Sequence, residues 1–114
     1  MRVLSIMMIP AKPANEMPSQ EQIDQMNALI ADWKGKGILV DTGGTFGEML
    51  ELTIARKNGN TTVTDGPFTE AKEVVGGYAL LEARDRDDVI ALTEHFLDVL
   101  GSDATCLLHE VSVA

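Results

Sequence analysis

Cysteine, aromatic residues and positive charge are all scarce in this chain, and each shortage excludes something. A single cysteine, Cys106, cannot form an internal disulfide, so a reducing cytoplasm is the expected home. Aromatics make up 4% of 114 residues, so Leu, Ile, Val, Ala and Met must fill the core, and six Met make parts of it adaptable. Nine Lys and Arg stand against 18 Asp and Glu, for a formal charge of −9. A duplex-binding surface needs clustered cations to displace counterions. Here Arg2, Lys12, Lys34, Lys36, Arg56, Lys57, Lys72, Arg84 and Arg86 are scattered. Direct nucleic-acid binding is therefore not expected, and no patch suited to an anionic membrane is visible. No apolar run approaches the ~18 residues of a membrane span. The run Val3 to Ile9 is short and interrupted by Ser5, so it reads as a buried first strand rather than a signal peptide.

What is present is ordinary for a folded domain. Apolar residues make up 45% and charged residues 24%. The length fits one domain, residues 1–114, which buries roughly two-thirds of its unfolded surface.

Local patterns then place the elements. Pro10, Pro13 and Pro18 enforce a loop after the first strand. Ser19 and Gln22 have capping-box spacing, and Ile23, Met26, Ile30 and Trp33 recur on one helical stripe. Gly35 and Gly37 end that helix, and Ile38-Leu39-Val40 reads as a second strand. Gly43-Gly44-Thr45-Phe46-Gly47 lacks the Lys-Ser/Thr ending of a phosphate loop, so it reads as a strand connection and a candidate lid. Asn58-Gly59 between Leu50 to Lys57 and Asn60 to Thr64 predicts a hairpin, because both turn residues need positive φ. Thr69 can cap one helical turn holding Glu70, Lys72 and Glu73, which Gly76-Gly77 would stop before a strand from Tyr78 to Ala83. Asp85 is a good N-cap for a second helix whose apolar face is Val89, Leu92, Phe96 and Leu100, ending at Gly101. Thr105 to Val113 is the last strand.

This order predicts an α+β fold on a ferredoxin-like split βαβ plan, with two helices on one face of an antiparallel sheet. The other sheet face still carries apolar side chains. A symmetric second copy is the simplest cover, so a homodimer with facing sheets is expected.

The segment Asp65-Gly66-Pro67-Phe68-Thr69-Glu70-Ala71-Lys72-Glu73, followed by Gly76-Gly77-Tyr78, resembles the signature of DGPF-type proteins of the YCII-related family. Gly37-Ile38-Leu39-Val40 with Gly43 is also similar to that family, and the resemblance covers nearly the whole chain. It implies a dimeric α/β barrel of ferredoxin-like subunits with a cavity near each dimer seam. It implies little about reaction. Relatives of the YciI type carry a His in the first helix that works with an Asp as a proton-transfer pair, whereas the helix here, Glu21 to Trp33, has none. DGPF relatives often follow Glu-Val in the last strand with Arg-Pro, whereas Glu110-Val111 is followed here by Ser112-Val113. The resemblance also implies an association with alternative sigma factors, through protein contact or ligand sensing.

Candidate chemistry falls in three places. Asp65, Glu70, Lys72 and Glu73 either wall a small-molecule pocket, where neighbouring charges set the protonation of each carboxylate, or simply pin a turn, which is the commoner role of turn Asp residues. His109 shares parity with Leu107, Val111 and Val113, so it points to an apolar face. There it is either the best general base in the chain or a satisfied interface histidine. His95, beside Phe96, reads as a surface residue. Cys106 has no cation nearby in sequence and reads as an inert buried thiol. The two histidines lack ligand spacing, so no metal and no organic cofactor is expected.

Two functions follow. One is a cofactor-independent lyase or isomerase working by proton transfer, with His109 and Asp65 catalytic and Glu70, Lys72, Glu73 and Tyr78 holding the substrate. The other is a non-catalytic metabolite-binding or regulatory dimer associated, as the resemblance implies, with an alternative sigma factor system.

Overall fold

The computed structural model describes residues 1–11, 18–45, 50–65 and 72–112. Its elements run β1 (Arg2–Pro10), α1 (Gln20–Gly35), β2 (Leu39–Gly44), β3 (Leu52–Lys57), β4 (Asn60–Asp65), β5 (Glu73–Glu82), α2 (Arg86–Leu100) and β6 (Thr105–Val111). Four strands form one antiparallel sheet in the order β2-β5-β1-β6. That is the ferredoxin-like order, with β3 and β4 inserted between β2 and β5 as a separate two-stranded sheet.

Both helices are capped as their sequences demand. The Ser19 hydroxyl accepts from the Gln22 backbone N–H, and the Gln22 side chain returns the bond to the Ser19 N–H. Asp85 accepts from the Asp88 N–H at the start of α2. Gly101 closes α2 with φ 71°, the left-handed conformation that glycine adopts without penalty.

The core lies between the helices and one face of the sheet. Leu29 and Trp33 of α1 pack on Leu39 and Leu81, joined by Ala79, Leu92 and Phe96. Val89 of α2 packs on Val3 and Ala83, with Leu108 beside them. Leu29 stands on the buried side of α1 with Trp33, so the helix stripe is shifted from Ile23, Met26 and Ile30, which are only half-buried.

The Asn58-Gly59 turn is as expected, with φ 51° and 80°. Its hairpin is scarcely covered: Ile54 and Val63 pair across the two strands, yet are 64% and 62% exposed. The radius of gyration, 16.0 Å, exceeds the ~13 Å of a compact chain of about 100 residues.

Two glycine readings are corrected. Gly76-Gly77 does not stop a helical turn but lies inside β5, where the pairing with β1 jumps from Met7↔Gly77 to Met8↔Val75. A bulge of this kind sets two residues against one and turns both toward the same side. Both are buried, and neither has room for a side chain. A Cβ at Gly76 would come within 2.9 Å of the Met7 side chain, and one at Gly77 within 2.7 Å of the Gly43 carbonyl oxygen. Gly43-Gly44 likewise belongs to β2, paired with Tyr78 and Gly77, instead of breaking the strand. Of the candidate lid, residues 46 and 47 lie outside the described residues.

Candidate functional site

Pleating sends alternate residues to opposite faces of a strand. Val3, Leu81 and Leu108 face the helices. Their neighbours Leu4, Leu80, Leu107 and His109 therefore face away, along with Ile6 and Tyr78. On this outer face Leu107 is 45% and Tyr78 41% exposed.

A polar couple stands among these apolar side chains. The Tyr78 hydroxyl donates to Asp41 Oδ2 at 2.7 Å. The other carboxylate oxygen, Oδ1, accepts the Thr42 N–H at 2.9 Å, and the Thr42 hydroxyl donates to the Tyr78 carbonyl at 2.8 Å. The couple exists because Gly43 sits directly opposite Tyr78. A Cβ at Gly43 would fall 2.8 Å from the tyrosine ring, so glycine alone lets the ring lie flat across β2 and reach Asp41. The hydrogen bond to Asp41 holds the Tyr78 phenol above its ordinary pKa, with partial desolvation and the carboxylate's charge adding to it. The phenol thus keeps its proton at neutral pH and acts as a hydrogen-bond donor, with the Asp41 carboxylate as its acceptor.

Sequence reasoning named Tyr78 but missed Asp41. The signal was weak: one Asp after an apolar run, thirty-seven positions from its partner. Its importance depends on β2 pairing with β5, which no local pattern reveals.

The other candidate residues are dispersed. His109 lies on the outer face, opposite Leu4, but on the far edge strand. Asp41, Leu80, Leu4 and His109 form one row across the sheet, so Asp41 and His109 are three strand spacings apart, about 14 Å. Asp65 ends β4 in the separate hairpin, paired with Leu52. Lys72 precedes β5 and its carbonyl accepts the Ala11 N–H at 3.0 Å. Glu73 is an exposed strand residue opposite Pro10, not part of a helical turn. Glu70 lies outside the described residues. Glu73 also borders an open depression of about 440 Å³ with Met8, Pro10, Leu97, Asp103 and Thr105. A second depression, about 380 Å³, lies between Lys36 and Arg84, both already in ion pairs with Asp32 and Asp88.

Burial pushes the Cys106 thiol up, against a smaller opposing effect of its hydrogen bond with Ser5, which leaves it unreactive at neutral pH. His95 is exposed, with its ring 6.1 Å from that of Trp33. Among the described residues no three His, Cys, Asp or Glu side chains converge as metal ligands, and no helix is long and apolar enough to cross a membrane.

An antiparallel sheet with both helices on one face, and a tyrosine–carboxylate couple on the other, defines a small ferredoxin-like α+β protein. The chain belongs to the YCII-related family: the model of the YCII-related domain matches residues 3–96. No curated protein matches the sequence.

Proposed function

We propose that this YCII-related protein binds a small carbonyl compound on the outer sheet face and moves a proton at the carbon beside the carbonyl. The observation that carries it is the bond from Tyr78 to Asp41 beside the apolar residues Leu80 and Ile6 of the outer face. Asp41 accepts the substrate's C–H proton, while the Tyr78 hydroxyl turns to the carbonyl oxygen and stabilises the developing enolate. Returning the proton to another carbon completes an isomerisation, and loss of a β-substituent completes an elimination. Apolar neighbours such as Leu80 and Ile6 favour a substrate with little charge of its own. A two-fold homodimer closes the face: one copy's apolar outer sheet covers the other's, and the couple lies in the seam.

The raised pKa of Tyr78 favours a second reading, in which the phenol only donates a hydrogen bond to a bound metabolite. One experiment separates the two. Small ketones, lactones and keto esters are screened by thermal shift, and each hit is incubated in D2O with enzyme while deuterium at the α-carbon is followed by NMR. Proton transfer predicts exchange that falls at least 100-fold in Asp41→Asn and at least 10-fold in Tyr78→Phe. Hits that stabilise the protein without exchange support the binding module.

A further inference from the structure

Each cross-strand row of the outer face carries its own kind of residue. The first is charged, with Glu82 and Arg2 in an ion pair. The second runs Asp41, Leu80, Leu4, His109. The third runs Gly43, Tyr78, Ile6, Leu107, the fourth holds Val75, Met8 and Thr105, and the fifth holds Glu73 and Pro10.

Facing sheets packed in the aligned class have their two-fold axis along the strands or across them. An axis across the strands reverses the order of rows. It sets β5 over β5 and lays Glu82 on Glu73 of the second copy, so that like charge faces like. An axis along the strands lays each row on its own mirror order. Arg2 then meets Glu82, Leu4 meets Leu80, Ile6 meets Tyr78, and the exposed Leu107 meets the ring-covered Gly43. Charge faces charge and hydrocarbon faces hydrocarbon, which commits the occupant of this face to a second copy in that orientation.

The same operation has a chemical consequence. Asp41 and His109 end one row, so each stands opposite the other in the second copy. We infer that the partner's His109 completes the site across the seam by donating a ring N–H to Asp41, so that Tyr78, Asp41 and a histidine from the other subunit act as one unit. Within one chain the residues are about 14 Å apart, whereas packed sheets lie about 10 Å apart and the side chains close that gap. Asp41 has the capacity: each carboxylate oxygen carries two lone pairs, and only one bond to each is taken, by Tyr78 and by the Thr42 N–H. His109 is thereby a positioning residue, holding the carboxylate that receives the proton. This rests on the proton-transfer reading and on the dimer that closes the face, and names the residue the second subunit adds.

The test uses Asp41→Cys and His109→Cys, each in a Cys106→Ser background. They are expressed separately and together with different tags, and treated with a short bis-maleimide spanning about 10 Å, the spacing of packed sheets. A covalent dimer forming only in the co-expressed sample supports the inference. Covalent dimers in either single variant alone place like strands over like and overturn it. A dimer by light scattering that yields no cross-link in any sample also overturns it, while leaving the closed face intact. A monomer by light scattering overturns the dimer as well. The chain has one tyrosine, so its phenolate absorbance reads Tyr78 alone. His109→Ala removes a donor from Asp41 and moves that titration upward. A curve identical to wild type overturns the contact.

Discussion

Val3 and Leu4 are neighbours in β1 and face opposite ways. Val3 is 3% exposed beneath α2, in a cluster with Ala83 and Val89. Leu4, with Ile6 and Leu80, lies on the face that neither helix reaches, where Leu107 and Tyr78 are exposed. Hydropathy does not separate the two sides, since β1 is apolar on both. The difference lies in what covers them. The helix face is closed by the chain itself and holds the buried hydrophobic clusters, with Ser5 and Cys106 hydrogen-bonded among them. The outer face carries Asp41 and Tyr78, and among the described residues neither helix covers it.

The comparison is broken most severely on the helix side. Trp33 is 8% exposed in the α1 cluster, so Trp33→Ala costs about 3–5 kcal/mol, against less than about 1.5 kcal/mol for Leu4→Met on the outer face. Urea denaturation followed by far-UV circular dichroism measures both, and equal losses would erase the distinction between the faces. A smaller effect is expected where the bulge turns both glycines of β5 inward. Gly77→Ala sets a methyl group against the Gly43 carbonyl and costs about 1–3 kcal/mol on the same assay. A neutral result would mean that β2 shifts freely.

The smallest effect sharpens the outer face. Asp41 raises the Tyr78 pKa, so Asp41→Asn lowers the phenolate midpoint toward the ordinary value of about 10. The sign for stability follows. The folded state holds the phenolic proton more tightly than the unfolded chain does, so the couple stabilises the fold fully below the unfolded pKa. That contribution is lost as pH rises through the raised folded value. In Asp41→Asn the alkaline loss of stability is correspondingly smaller in melts between neutral pH and pH about 11. An unchanged Tyr78 titration would show that the bond does not form in solution.

Much of the fold was legible because its signals are local. Ser19 with Gln22, Asp85 and Gly101 each satisfy backbone groups within a few residues, and Asn58-Gly59 needs only its own dihedral angles. The glycines at 76 and 77 were misread for the opposite reason. Two adjacent glycines mark a break when seen alone, and a bulge only when a paired strand supplies the missing register. The site divides in the same way. Tyr78 and the outward direction of His109 follow from position in a strand, whereas Asp41 gains its meaning from a residue on the neighbouring strand, thirty-seven positions along the chain. Asp65, Lys72 and Glu73 share a signature segment, yet Asp65 ends a strand of the hairpin sheet whereas Lys72 and Glu73 lead into β5, the strand of Tyr78.

By itself the sequence determined where helices begin and end, where the hairpin turns, and that both faces of the first strand are apolar, because capping, turn geometry and side-chain alternation act over a few residues. Tertiary structure alone decided which face the helices cover, why three glycines cannot carry side chains, and that a carboxylate at 41 meets the phenol at 78. Those outcomes depend on strand order and register, which are set by the packing of the whole sheet.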